Sequence, residues 1–131
     1  SVEDARRALR MVGLSDEINS LPEGLNTHLT SGGKNLSNTT VHKLILARCL
    51  AKNPELIILN DFFNGLKRDA KVELINCLVN KQHHWTLLAV SNDPLIMEAC
   101  DRVIVLNEGV IEAEGTFREL MKDNKINRYL D

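Results

Sequence analysis

Aromatic residues are scarce in this chain, 4% of 131 positions, so a packed interior has to be built from aliphatic side chains. Charge of one sign is not concentrated either. The formal net charge is −2 with both signs spread along the chain. No basic tract marks a nucleic-acid footprint, and no acidic tail marks a solvated interaction arm. Long hydrophobic runs are also absent. Stretches such as Leu56–Leu59 and Trp85–Val90 fall far short of the roughly 20 residues that span a bilayer. The opening Ser-Val-Glu-Asp has no secretory-signal pattern. The expectation is therefore no membrane span in the chain and no nucleic-acid partner. Cys49, Cys77 and Cys100 are odd in number, far apart and set in apolar helical patterns. Buried, reduced thiols are expected, not a disulfide framework. His83-His84 suggests a metal site only superficially: adjacent residues point apart on a helix or a strand, and no Cys or carboxylate set completes the ligands. A solvated helix end is the reading for this pair.

What is present is ordinary for a globular domain: 44% hydrophobic and 26% charged residues, in a length that suits one domain. Val2, Ala5, Leu9 and Val12 predict a helix over 2–12, with Ser1 as its cap and Asp4 closing a capping box. A short helical segment starts at Ser15 and breaks at Ser20-Leu21-Pro22. Residues 22–36 hold three glycines and one proline and read as a loop. Ser37 then caps a helix whose apolar stripe is Val41, Leu44, Ile45, Leu46, Cys49 and Leu50, stopped by Asn53-Pro54. Leu56–Leu59 and Trp85–Val90 read as buried strands flanking a helix over about 66–82. Pro94–Ala99 reads as a short helix, with proline in its first turn. Val103–Leu106 and Val110–Ala113 form a hairpin about Asn107-Glu108-Gly109, followed by a helix to about Lys122 and a last helical turn over roughly 125–129. Alternation of strands and helices is the signature of an α/β layered domain. Residues 1–53, helix and loop only, read as a separate helical lobe, and 54–131 as the α/β part.

Two stretches carry a family resemblance. Leu21-Pro22-Glu23-Gly24, then Gly32-Gly33-Lys34-Asn35-Leu36-Ser37, then Leu44-Ile45-Leu46-Ala47-Arg48 resembles the approach to the signature motif of ABC ATPases. There a Leu-Ser-Gly-Gly-Gln caps a helix rich in Ala, Leu and Arg, and the preceding pattern is most similar to the exporter branch. Asn53–Asp61 is similar to the family's Walker B strand, which normally ends in Asp-Glu. Thr86–Asp93 is similar to its switch-histidine strand, and Asp101–Gly109 with Glu114-Gly115-Thr116 to its closing hairpin and helix. The ordered set covers nearly the whole chain. The resemblance implies the C-terminal half of a P-loop NTPase-like (RecA-like) core with an incomplete sheet, preceded by the helical signature lobe. It implies ATP and Mg²⁺ as the family's cofactors and a location on the cytoplasmic side of a membrane. The implied partners are a second ATP-binding domain, a transmembrane transporter domain and the missing N-terminal half of the core.

Departures from the family pattern set the functional expectation. No Gly-x-x-x-x-Gly-Lys-Ser/Thr occurs in the sequence. Gly32-Gly33-Lys34-Asn35 lacks the spacing and the Mg²⁺-reaching hydroxyl, and it follows a polar loop rather than a strand. In the signature, Asn38, Thr39 and Thr40 replace the two glycines and the glutamine, so side chains crowd the place where backbone N–H groups would approach a γ-phosphate. Ser37 survives, either as a phosphate donor or as a plain N-cap. Asn60, a neutral amide, stands at the Mg²⁺-supporting Asp position. Asp61, one methylene shorter than Glu, stands at the base position, or is a strand-end turn residue. Asn92 replaces the switch histidine and cannot shuttle a proton near neutral pH. Lys67 replaces an Asp of the dimer-contact loop.

The candidate site is thus Asp61 and Asn92 at catalytic positions, Ser37, Asn38, Thr39 and Asn60 at nucleotide-facing positions, and no metal ligand set. Both groups of motifs are altered, so the expectation is an ATP-binding-cassette domain of an exporter that couples or regulates with little or no ATP hydrolysis. A residual ATPase using Asp61 and a nucleotide-free dimerisation or scaffold module are the alternatives. The resemblance further implies a phosphate-loop strand between the switch strand and Val103–Leu106; without it the sheet is expected to have a gap with apolar edges, and residues 1–131 are not expected to fold stably alone.

Overall fold

The computed structural model describes residues 1–29 and 36–130. The Gly32-Gly33-Lys34-Asn35 segment lies outside the described residues. Helices α1 (Val2–Met11) and α2 (Ser15–Asn19) come first, followed by a 3-10 turn at Gly24–Asn26 and then α3 (Asn38–Leu50). The capping box expected at the start of α1 forms: Ser1 Oγ accepts from the Asp4 N–H, and the Asp4 carboxylate reaches back to the cap. Strands β1 (Leu56–Asn60) and β2 (Thr86–Val90) flank α4 (Arg68–Val79). Helix α5 (Pro94–Ala99), the hairpin β3 (Val103–Asn107) and β4 (Val110–Gly115), α6 (Phe117–Lys122) and a 3-10 turn at Asn127–Tyr129 complete the chain. The chain is a mixed α/β structure with small sheets.

Among the described residues the strands form two separate two-stranded sheets. β1 and β2 are parallel, with Ile57 opposite Leu87 and Asn60 opposite Val90. β3 and β4 are antiparallel, with an irregularity between Val105 and Leu106. One aliphatic cluster joins Leu9, Val12 and Leu14 near α1 to Leu46 and Leu50 of α3, Ile57 and Leu59 of β1, Leu74 and Leu78 of α4, and Ile96 of α5. A smaller cluster holds Met97, Val105, Leu120 and Ile126. With so few aromatics, leucine and isoleucine supply the stabilisation, each contributing about 1.5–3 kcal/mol when fully buried.

The strands are not buried on both faces as their continuous apolar runs suggested. In β1, Ile57 and Leu59 enter the helical core, whereas Leu56 and Ile58 are 53% and 61% exposed. In β2, Leu88 and Val90 are likewise exposed. Side chains alternate across a strand, and helices cover only one side of this pair. Hydrophobicity therefore continues onto a face that nothing among the described residues covers.

Three smaller expectations also change. Cys49 is exposed and Cys77 and Cys100 are half-buried, though all three are free thiols. Cys49 and Ile45 lie one turn apart on the outer side of α3, while Leu46, Ala47 and Leu50 take the inner side. Helix α4 is shorter than 66–82, and Leu66 reaches the core from the turn before it. His83 is not a solvated helix end. It lies beyond α4, stacked on Trp85 at 4.1 Å, and burial together with the neighbouring His84 lowers its pKa. Trp85 packs against the main cluster and donates from Nε1 to the Leu78 carbonyl at 2.8 Å.

Candidate functional site

The carboxyl ends of β1 and β2 bring three of the six candidate residues together. Asn60 is the last residue of β1 and pairs in register with Val90. The backbone N–H of Asp61 extends the ladder by one bond, to the Val90 carbonyl at 2.9 Å. Asp61 then turns the chain out of the sheet with φ at +51°, a left-handed conformation that Asp tolerates better than most residues. Asn92 follows β2 by two positions. Asn60, Asp61 and Asn92 are all exposed. The carboxyl edge of a parallel sheet is where open α/β folds bind ligands; here Asn60 and Asn92 bring neutral amides to it and Asp61 a carboxylate.

The segment that follows β2 is fixed by its neighbours. Ser91 Oγ accepts from the Asp93 N–H at 3.0 Å, and Asp93 Oδ1 accepts from the Leu95 N–H at 2.9 Å, capping α5. Lys71 of α4 donates to Asp93 Oδ2 at 2.7 Å. Burial alone would raise the Asp93 pKa, but the Lys71 and Leu95 bonds outweigh it and hold the carboxyl below its ordinary value.

Ser37, Asn38 and Thr39 lie at the opening of α3. Ser37 is its N-cap, with Oγ accepting from the Thr40 N–H at 3.1 Å. Asn38 Nδ2 donates to the Gly65 carbonyl at 3.1 Å, which ties this helix end to the turn that follows β1. Gly65 has φ at +82°, and a Cβ there would stand 3.3 Å from Asn38 Nδ2. Thr39 is half-buried in the first turn. His42, one turn on, places Nδ1 2.8 Å from the Asn38 carbonyl oxygen and meets the Phe62 ring edge-on. Lys67 sits exposed at the N-cap position of α4 without a capping side-chain bond, where the helix dipole disfavours a positive charge.

Two groups escaped the sequence reading. Glu17 of α2 accepts a hydrogen bond from Thr40 Oγ1 at 3.1 Å across 23 positions. Lys71 reaches Asp93 across 22. Ser37 as the helix N-cap is a local pattern visible in the sequence. The Glu17 partner carries no sequence signal, because only the packing of α1, α2 and α3 sets that distance. Among the described residues no group of three or more His, Cys, Asp or Glu is placed to hold a metal ion.

No family model matches the chain. It is 34% identical over 130 residues to the glutathione/L-cysteine transport system ATP-binding/permease protein CydD of Bacillus subtilis, a match covering 99% of this chain and 23% of that protein. It is 34% identical over 114 residues to the mating factor M secretion protein mam1 of Schizosaccharomyces pombe, covering 87% of this chain and 8% of that protein. Among solved structures, a bacterial Atm1-family ABC exporter with ATP bound superposes with a TM-score of 0.84 at 21% identity, over 98% of this chain and 23% of the other. The chain belongs to the ABC transporter family. It spans less than a quarter of the length of these relatives.

Proposed function

We propose that the chain is part of the ATP-binding cassette of an exporter, with a degenerate site that couples or regulates transport with little or no ATP hydrolysis of its own. Residues 1–53 serve as the signature lobe and 54–131 as the C-terminal part of a P-loop NTPase core. The relatives are exporters and ATP-binding/permease proteins, which supports a transmembrane transporter domain and a second ATP-binding domain as partners. It also supports attachment to the cytoplasmic side of a membrane through such a partner. No helix among the described residues is long and apolar enough to cross a membrane.

The observation that carries the proposal is the pair Asn60–Asp61 at the carboxyl end of β1. A hard cation favours anionic oxygen ligands, and Asn60 contributes none. If ATP and Mg²⁺ bind, Asn60 and Asp61 would face the metal-bound phosphates, Asn92 would donate to a phosphate oxygen, and Ser37, Asn38 and Thr39 would face the nucleotide held by a partner. In that role Asp61 lacks the reach of a glutamate, and a misplacement of about 1 Å at a reacting group can cost about 10²-fold. Asn92 holds a phosphate without carrying a proton.

The test is Mg²⁺-ATP titration and steady-state hydrolysis with the complete protein. Turnover near background is expected, rising when Asn60→Asp, Asp61→Glu and Asn92→His are combined with Asn38→Gly, Thr39→Gly and Thr40→Gln. Tight Mg²⁺-dependent binding with brisk turnover in the unaltered protein would replace this reading with that of a working ATPase.

A further inference from the structure

Thr40 is the one buried polar residue among those described, at 6% exposure. Its hydroxyl lies between two oxygen partners: Ser37 Oγ at 2.8 Å and Glu17 Oε1 at 3.1 Å. A hydroxyl has one hydrogen to give, and an ionised carboxylate only accepts. The Thr40 hydrogen is therefore committed to Glu17. The contact with Ser37 must then run the other way, from the Ser37 hydroxyl into Thr40 Oγ1. Ser37 Oγ also accepts the Thr40 N–H. Its hydrogen thus points into the protein, and the face left for an incoming group is a lone pair.

We infer that Glu17, acting through Thr40, is a positioning residue that turns the Ser37 hydroxyl away from phosphate and so weakens nucleotide binding at the start of α3. The inference rests on the proposed reading that this helix end faces a nucleotide. An anionic phosphate oxygen is attracted by a donated O–H and repelled by a lone pair, so the direction of one hydrogen decides the sign of the contact. Removing Glu17's acceptor frees the Thr40 hydrogen to turn onto Ser37 Oγ. The Ser37 hydrogen is then free to point outward.

The experiment uses the complete protein, with Mg²⁺-ATP as the probe. Glu17→Leu and Thr40→Val are each expected to tighten binding by on the order of tenfold, the size of one hydrogen bond to a charged group. Thr40→Ser, which keeps the hydroxyl, is expected to return affinity to its original level. The gain should vanish when Glu17→Leu is combined with Ser37→Ala. A gain that persists without the Ser37 hydroxyl, or no gain in either single variant, overturns the inference.

A nucleotide-free readout separates its failure from failure of the functional reading. In Thr-methyl-labelled protein, the Thr40 methyl resonance should move in Glu17→Leu and in Ser37→Ala, with a non-additive shift in the double variant. An unmoved Thr40 methyl overturns the hydrogen-bond relay whatever ATP does. A responsive methyl with no ATP binding in any variant upholds the relay and sinks the nucleotide-facing reading.

Discussion

The side-chain amide of Asn38 donates to the backbone carbonyl of Gly65 at 3.1 Å, joining the start of α3 to the turn after β1. The two residues are 27 positions apart. A net contribution of about 0.5–1.5 kcal/mol is typical of such a bond, so Asn38→Ala should lower stability by about that much. Gly65→Ala should cost at least as much, because it places a Cβ at positive φ within 3.3 Å of the Asn38 amide. Thermal denaturation of the complete protein checks both, and a smaller penalty for Gly65→Ala in the Asn38→Ala background would show that the contact is shared.

Leu74, fully buried at the centre of the main cluster, should be the most sensitive core position in α4. Leu74→Ala is expected to cost about 2–5 kcal/mol, the range for a buried leucine that leaves a cavity. Val72→Ala, on the exposed side of the same helix, should cost under about 1 kcal/mol. Equal effects would contradict the one-sided packing of α4.

Acid should loosen the segment between β2 and α5. The Asp93 carboxyl lies below its ordinary value when folded. Its contribution is therefore present above the unfolded value of about 3.9 and is lost as pH falls through the folded one. Lys71→Met should raise the carboxyl midpoint, followed by carbon NMR, and lower stability by about 1.5–3 kcal/mol near neutral pH. A midpoint that stays put would mean Lys71 does not support Asp93.

Asp4 offers a second titration. The Arg7 bond, then the Ser1 hydroxyl, bring its pKa from 3.8 to about 2. The sign is that of any depressed carboxyl: the cap is intact above about 3.8 and fails as pH drops toward 2. Arg7→Leu should return the midpoint toward 3.8. Amide exchange at the first turn of α1 should accelerate over the same pH range, and an unchanged midpoint would rule out the Arg7 pairing.

Residues 1–131 expressed by themselves should self-associate. Leu56, Ile58, Leu88 and Val90 present apolar side chains on a strand face that nothing among the described residues covers, and a contiguous exposed apolar patch drives association. Light scattering should show species above 14.7 kDa. Ile58→Lys with Leu88→Glu should reduce them. A cooperative monomeric melt of the unaltered segment would count against this expectation.

What the sequence determined by itself were the features set by neighbours along the chain. Ser1 and Ser37 announce their helices because a cap bonds within three residues. Pro94 and the Asn107-Glu108-Gly109 turn mark their elements for equally local reasons. The ordered motifs from Leu21 to Thr116 revealed the family, and the identities at Asn60, Asp61 and Asn92 state their own chemistry. Only the tertiary structure decided which face of β1 is covered, because Leu56-Ile57-Ile58-Leu59 is equally apolar on both sides. It alone turned Cys49 outward and paired Glu17 with Thr40, Lys71 with Asp93 and Asn38 with Gly65. Those contacts join residues at least 22 positions apart. A side chain's partner at that separation depends on how helices pack against a sheet, which no local spacing encodes.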